Sequence, residues 1–338
     1  MNILVAGGAG YIGSHTCVEL LEAGHNVICA DNLLNSKYEA IRRVEQITGK
    51  SIKFYKVDLT DYEASKVVFE ENHIDGVIHF AGLKCVPESI SVPLKYYQNN
   101  IDSVFTVIRL MKEFNVNNFV FSSSATVYGD PKVLPLTEDC EVGGTTNPYG
   151  TTKYFIERIL MDVCKADSSF NVAILRYFNP VGAHPSGLIG EDPNGIPNNL
   201  VPYVTQVAIG KRPYLNVNGN DYDTPDGTGI RDYIHIVDLA QGHLLALNKL
   251  TTNCGLVIYN LGTGRGNSVL EVVKAFDKAV GTPIPYKIAP RRPGDIATCY
   301  ADPAKASKEL GFVAKYNIDD MARDAWNWQK KNPNGYEE

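Results

Sequence analysis

A doubly wound α/β fold with a smaller second domain is predicted by three observations. Short apolar, β-branched runs alternate with helical stretches from the N-terminus to about residue 179. The first run leads through a glycine-rich turn into a helix, and beyond residue 180 the alternation dissolves into a stretch dense in Pro, Gly and Asn that lasts to about 230. Alternating strands and helices are the pattern of a parallel sheet covered on both faces. A loss of that pattern marks a second unit. The expected organisation is a Rossmann-type domain over 1–179, with later segments (about 230–262) returning to it, and a smaller C-terminal α/β unit over 180–338.

Asn2 to Ala6 reads as the first strand, Gly7-Gly8-Ala9-Gly10-Tyr11-Ile12-Gly13 as a turn, and His15 to Ala23 as a helix. The glycines permit a tight turn and a close approach of backbone to a pyrophosphate at the helix N-terminus. Their spacing is G-x-x-G-x-x-G rather than G-x-G-x-x-G. A second strand, Asn26 to Ala30, ends in Asp31-Asn32. A carboxylate at that strand tip accepts hydrogen bonds from a ribose diol and repels a 2′-phosphate, so NAD is favoured over NADP. The third strand, Ile52 to Val57, ends in Asp58-Leu59, placed for an adenine contact. A fourth, Asp75 to Phe80, runs into the small-residue turn Ala81-Gly82-Leu83-Lys84, which lets the backbone pass close to the cofactor.

The helix from about Asn99 to Phe114 carries apolar residues on a wide arc (Ile101, Val104, Phe105, Ile108, Met111), more than one sheet face requires. Asn118 to Ser122 is a fifth strand, followed by Ser123-Ser124-Ala125-Thr126, hydroxyls at the end of a parallel strand where such sheets bind ligands. Asn147-Pro148 then provides an N-cap and a first helical residue, so Tyr149 opens a helix continuing through Phe155, Ile156, Ile159 and Leu160. Tyr149 and Lys153 stand one turn apart on one face. A phenol with an ordinary pKa of about 10 is a poor base, and a neighbouring ammonium lowers that value. The two wide helices side by side suggest a helical dimer interface, although burial under loops explains them almost as well. Strand Val172 to Tyr177 ends in Phe178-Asn179, and two basic turns follow, around Arg231 and over Pro290-Arg291-Arg292-Pro293-Gly294-Asp295. Arg forks suit phosphate oxygens.

The composition of the 338 residues is that of a soluble globular protein, and the net charge of −6 excludes a general nucleic-acid or membrane-surface partner. No apolar run reaches membrane-spanning length. The seven cysteines lack C-x-x-C spacing and the seven histidines lack a metal-ligand pattern. The expectation is a cytoplasmic protein with reduced thiols and no metal.

These stretches together, from the glycine turn through SSSATVYG, Y-x-x-x-K, LRYFNPVGAHPSG, GIPNNL, GTGIRDYIH and RRPGD, resemble the extended short-chain dehydrogenase/reductase superfamily, and within it the UDP-glucose 4-epimerase family. The resemblance implies bound NAD, a homodimer built through a four-helix bundle, and interconversion of UDP-galactose and UDP-glucose by oxidation at C4, rotation of a 4-keto sugar and re-reduction. It implies that Tyr149 is the acid/base, Lys153 its partner on the nicotinamide ribose, and Ser124 a hydrogen-bonding group on the sugar hydroxyl. The NAD site would draw on Gly7, Gly10, Tyr11, Ile12 and Gly13, then Asp31, Asn32, Leu33, Asn35 and Ser36. Asp58 and Leu59 follow, with Phe80, Ala81, Gly82, Lys84 and Asn99, and finally Ser122, Tyr177 and Phe178 beside the Tyr-Lys pair. The sugar-nucleotide groove would involve Lys84, Ser124, Ala125, Thr126, Phe178 and Asn179. Further along it come Asn198, Asn199 and Leu200, then Asn216, Asn218, Arg231 and Tyr233, with Arg292, Asp295 and Cys299 completing it. Relatives with a bulky Tyr at the position of Cys299 are restricted to plain hexoses, so the small side chain implies that UDP-GalNAc and UDP-GlcNAc are accepted as well. Relatives that dehydrate the sugar carry Asp-Glu beside the central Thr; Ala125-Thr126 has no such carboxylate.

Overall fold

The computed structural model describes residues 1–292 and 295–337. Pro293 and Gly294 of the second basic turn, and Glu338, lie outside the described residues. The first half builds β1 (Asn2–Ala6), α1 (Tyr11–Glu22), β2 (Asn26–Asp31), α2 (Tyr38–Thr48), β3 (Lys53–Lys56), α3 (Tyr62–Glu70) and β4 (Gly76–His79). α4 (Val86–Ser91), α5 (Pro93–Glu113), β5 (Asn118–Ser124), α6 (Pro148–Ala166) and β6 (Asn171–Tyr177) follow. Period-two alternation sends Ile3 and Val5 into the core on one sheet face and Leu4 and Ala6 into the core on the other. α5 starts at Pro93, well before the expected Asn99, because proline needs no N–H partner in a first turn.

The second half contributes β7 (Asn179–Val181), α7 (Leu200–Ala208), β8 (Leu215–Asn218), β9 (Ile230–His235), α8 (Ile236–Leu250), β10 (Leu256–Leu261) and β11 (Gly266–Ser268). After these come α9 (Val269–Val280), β12 (Tyr286–Ala289), β13 (Thr298–Cys299), α10 (Ala304–Leu310) and α11 (Ile318–Lys331). The large sheet has seven parallel strands in the order β10-β6-β5-β4-β1-β2-β3. Its order reverses between β1 and β4, where open α/β sheets leave a ligand crevice at their carboxyl ends.

Of the stretch expected to return to this sheet, β10 extends it beside β6 and α8 covers it against α1. β9 does not join. It pairs with β7, β11 and β13, held there by the buried Asp232, which accepts from the Thr263, Gly264 and Ala301 N–H groups at 2.9, 3.1 and 3.1 Å. β8 and β12 form a separate pair, and α7, α9 and α11 close a smaller core around Val204, Phe276 and Met321. Among the described residues no helix is long and apolar enough to cross a membrane, and all seven cysteines are free thiols.

Candidate active site

The Asn147 side chain accepts from Gly150 N–H at 2.9 Å and Pro148 occupies the first turn, so α6 begins where its sequence requires. Tyr149 and Lys153 therefore share a face, each buried at 9% and 6% exposure. Lys153 Nζ lies 5.9 Å from the Tyr149 ring centroid and donates to the Ser122 carbonyl at 2.7 Å. Ser124, at the end of β5, lies beside the Tyr149 phenol and accepts from Thr126 N–H at 3.2 Å. The Thr126 hydroxyl is buried without a partner among the described residues, which leaves a hydrogen-bonding position open beside Ser124.

The expected depression of the Tyr149 pKa is not what the chain alone produces. Burial pushes the phenol up to about 12, partly offset by Ser124. The Lys153 amine is lowered to about 8 by burial, with Glu157 opposing. The reason is geometric: the ammonium lies over the ring and spends a proton on the Ser122 carbonyl, so desolvation dominates both groups.

The glycine turn is a cradle that side chains would fill. A Cβ at Gly7, where φ is 81°, would meet Ala81 N at 2.7 Å, and one at Gly13 would meet Gly7 O at 2.3 Å. Gly10 caps α1 without a side-chain hydrogen bond, and Tyr11 and Ile12 open the helix. Tyr11 Oη donates to Gly182 O at 2.7 Å. Asp31 is tied into its own loop, accepting from Ala9 N at 3.0 Å, Leu33 N at 2.9 Å and Ser36 Oγ at 2.8 Å. Leu33 adopts φ 60°, a conformation that costs a non-glycine residue energy and that clusters at ligand-holding turns. Asn32 Nδ2 donates to Asp58 at 3.2 Å; burial opposes ionisation of that carboxyl, but bonds from Thr60 and Asn32 outweigh it and hold it low. Leu59 is buried beside it and Asn35 is exposed.

Phe80, Tyr177 and Ser122 gather around a residue the sequence did not single out, His243. Its ring lies 4.8 Å from Phe80 and 6.0 Å from Tyr177, and its Nδ1 donates to Leu239 O, so Nε2 accepts from Ser122 Oγ at 2.9 Å. Asn99 donates to Asn100, which in turn holds Leu83 through its N–H and C=O at 2.7 and 3.0 Å and donates to Thr152 at 3.1 Å. The turn through Gly82 is thereby fastened to α6, and Leu83 packs on Tyr149. The signal for Asn100 was present: a polar residue in line with Val104 and Val107 on the buried face. These residues fit a dinucleotide lying across the crevice.

In the second half, Arg292 and Arg231 converge on Asp295, at 2.9 and 3.9 Å, with Tyr233 buried nearby. Cys299 sits opposite Arg231 in the β13–β9 register. Lys84 and Asn199 meet at Glu191, at 3.2 and 3.0 Å, and Asn198 Nδ2 contacts Cys85 Sγ at 3.1 Å. Glu191 was not predicted. Phe178 is buried, Ala125 half-buried, Asn179 exposed on β7, and Leu200 opens α7. Asn216 and Asn218 lie on β8, opposite Lys287 and Ala289, in the separate strand pair.

A sequence profile described as the NAD dependent epimerase/dehydratase family matches residues 3–262. UDP-glucose 4-epimerases of Haemophilus influenzae and Bacillus subtilis are 63% and 61% identical to this chain, each over 99% of both sequences. The crystal structure of UDP-glucose 4-epimerase from Bifidobacterium longum, in complex with NAD+ and UDP, is 58% identical and superposes with a TM-score of 0.96 over 99% of this chain and 100% of that one. The crevice, the glycine cradle and this likeness over the full length agree: the chain belongs to the NAD dependent epimerase/dehydratase family.

Proposed function

We propose that this protein interconverts UDP-galactose and UDP-glucose, using NAD. The observation that carries the reading is the burial of one phenol, one amine and one hydroxyl, Tyr149, Lys153 and Ser124, together at the carboxyl end of β5 beside the dinucleotide cradle. NAD supplies, when bound, a hydride acceptor for C4 and a positive ring charge that offsets the burial of a phenolate. Tyr149 takes the proton of the sugar 4-hydroxyl and later returns it; Ser124 orients that hydroxyl and shortens the proton's path. Lys153 stabilises the phenolate. Arg231 and Arg292 hold the diphosphate through charge-assisted bonds, for which Asp295 is a stand-in partner in the free chain. The hexose meets only small or neutral groups, Ser124, Thr126 and Asn179, so the 4-keto sugar is free to turn and present its other face for the returning hydride. Inversion at C4 follows.

The N-acetylated UDP-hexoses belong to the same proposed range. Cys299 packs with Phe178, Val127 and Leu136, and the next side chain along, Tyr300, has its ring near Gly266 on β11. The proposed assembly is a homodimer in which α5 and α6, neighbours in the fold, meet their copies; the Tyr97 and Phe155 rings lie tilted to one another there, centroids 6.0 Å apart, with Phe105 and Phe155 exposed.

Tyr149→Phe tests the reading against a protein that merely senses the dinucleotide. The expected result is a turnover loss on the order of 10²–10⁴-fold with NAD still bound. Full turnover in that variant overturns the assignment.

A further inference from the structure

The Tyr149–Lys153 face of α6 continues, one turn on, into a charge that the proposed chemistry leaves unused. Glu157 is completely buried, and its partner Arg176 on β6 is 2% exposed. The guanidinium grips the carboxylate as a fork: Nη2 donates to Oε2 at 2.7 Å and Nε reaches both oxygens at 3.1 and 3.2 Å. Ser123 Oγ donates to the same carboxylate at 2.5 Å. A buried ion pair is weak evidence of stabilisation, since apolar residues of similar volume often do as well. Its position accounts for it better. Three successive residues of β5 serve three successive turns of α6: Ser124 lies beside Tyr149, Ser122 accepts from Lys153, and Ser123 donates to Glu157.

We propose that Glu157 and Arg176 are positioning residues for the Tyr149–Lys153 pair, locking α6 to β5 and β6 so that the Lys153 ammonium stays at the Ser122 carbonyl, with no unbalanced charge beneath it. The inference rests on the epimerase reading and deepens it. The titratable groups around this core are Tyr149 and Glu157 on α6 itself, His79 from β4, Arg176 and Tyr177 from β6, and His243 from α8 through Ser122. Beyond them Arg176 donates to the Tyr128 phenol at 3.1 Å and the Glu138 carbonyl at 3.2 Å, and the Glu138 carboxylate faces Lys305. Burial lowers His79 to about 3 and His243 to about 4, so both are neutral at working pH. Removing the Glu157 charge leaves Arg176 uncompensated, and an added positive charge makes both Tyr149 and Lys153 release their protons at lower pH. Removing both charges restores the balance.

The test is the pH profile of kcat for the NAD-loaded wild type, Glu157→Gln and the double variant Glu157→Gln/Arg176→Gln. Ionisation of Tyr149 is read separately, from tyrosinate absorbance less that of the matching Tyr149→Phe protein. Glu157→Gln is expected to lower kcat on the order of tenfold and to move both curves toward acid by roughly one pH unit. In the double variant the curves are expected to return while kcat stays low. A profile unmoved in Glu157→Gln, or a double variant displaced as far as the single, means a merely structural pair and overturns the proposal. Should Glu157→Gln fail to fold, Arg176→Lys carries the test, because it keeps the charge and loses the fork: kcat falls with KM unchanged if the proposal holds, and wild-type kcat overturns it. A wild type inactive on UDP-galactose would sink the epimerase reading instead, and the absorbance titration would still judge this one.

Discussion

Cys299 is one side chain on a two-residue strand, and the proposed substrate range rests on its small size. Its thiol is pushed up to about 11 by burial, with Arg231 opposing, so at working pH it acts as a small neutral wall. In Cys299→Tyr, turnover of UDP-GalNAc is expected to fall at least tenfold, roughly the discrimination a pocket wall can impose, while UDP-galactose turnover is kept. Wild-type protein that ignores UDP-GalNAc, or a variant that still uses it, contradicts the proposed range. At this scale the sequence displayed spacing and residue type but not surroundings. Tyr149 and Lys153 were legible because a helix repeats every turn and a strong N-cap fixed where it starts. Desolvation was not legible, and it reversed the expected direction for the phenol. Glu191 and His243 stayed hidden for a related reason: Glu191 meets Lys84 and His243 meets Ser122 across more than a hundred residues of chain, through contacts that only the fold creates.

Between elements, the packing of α1 on α8 buries a carboxyl. Glu19 on α1 is 7% exposed and hydrogen-bonded to Gln241 on α8; burial, reinforced by Glu22, raises its pKa to about 7. An unfolded glutamate titrates near 4.3, so between those values the folded chain holds a proton that the unfolded chain releases. Stability from this group is complete below the unfolded value and is lost as pH rises through the folded one. Glu19→Gln is therefore expected to raise the melting temperature at pH 8, by an amount corresponding to about 1–3 kcal/mol, and to change it little at pH 5. Equal shifts at both pH values would contradict this account. Most elements were legible from period and caps, as with α6. Their partners were less so: β9 has an ordinary strand sequence, and its place in the smaller sheet is decided by Asp232, whose N–H donors lie on segments about 30 and 70 residues away in the chain.

For the molecule as a whole, the strand order brings the glycine turn of β1, the end of β4 and the hydroxyls of β5 to one rim, and the second half gathers Arg231 and Arg292 at Asp295. Alternation of strands and helices announced a parallel sheet, but not that β10, after a long excursion, would complete it beside β6. That closure follows from α8 covering β5 and β6 and delivering the chain to the open edge. The chemistry proposed for this site turns on one event: a hydrogen removed from C4 stays within the site and goes back to the opposite face of the same carbon. The direct measurement is to give the purified protein, without added cofactor, UDP-galactose carrying deuterium at C4, and to analyse the UDP-glucose formed. Retention of the label at C4 is predicted. Replacement of the label by solvent hydrogen would mean that C4 loses a proton to water rather than a hydride to NAD, and would contradict the account.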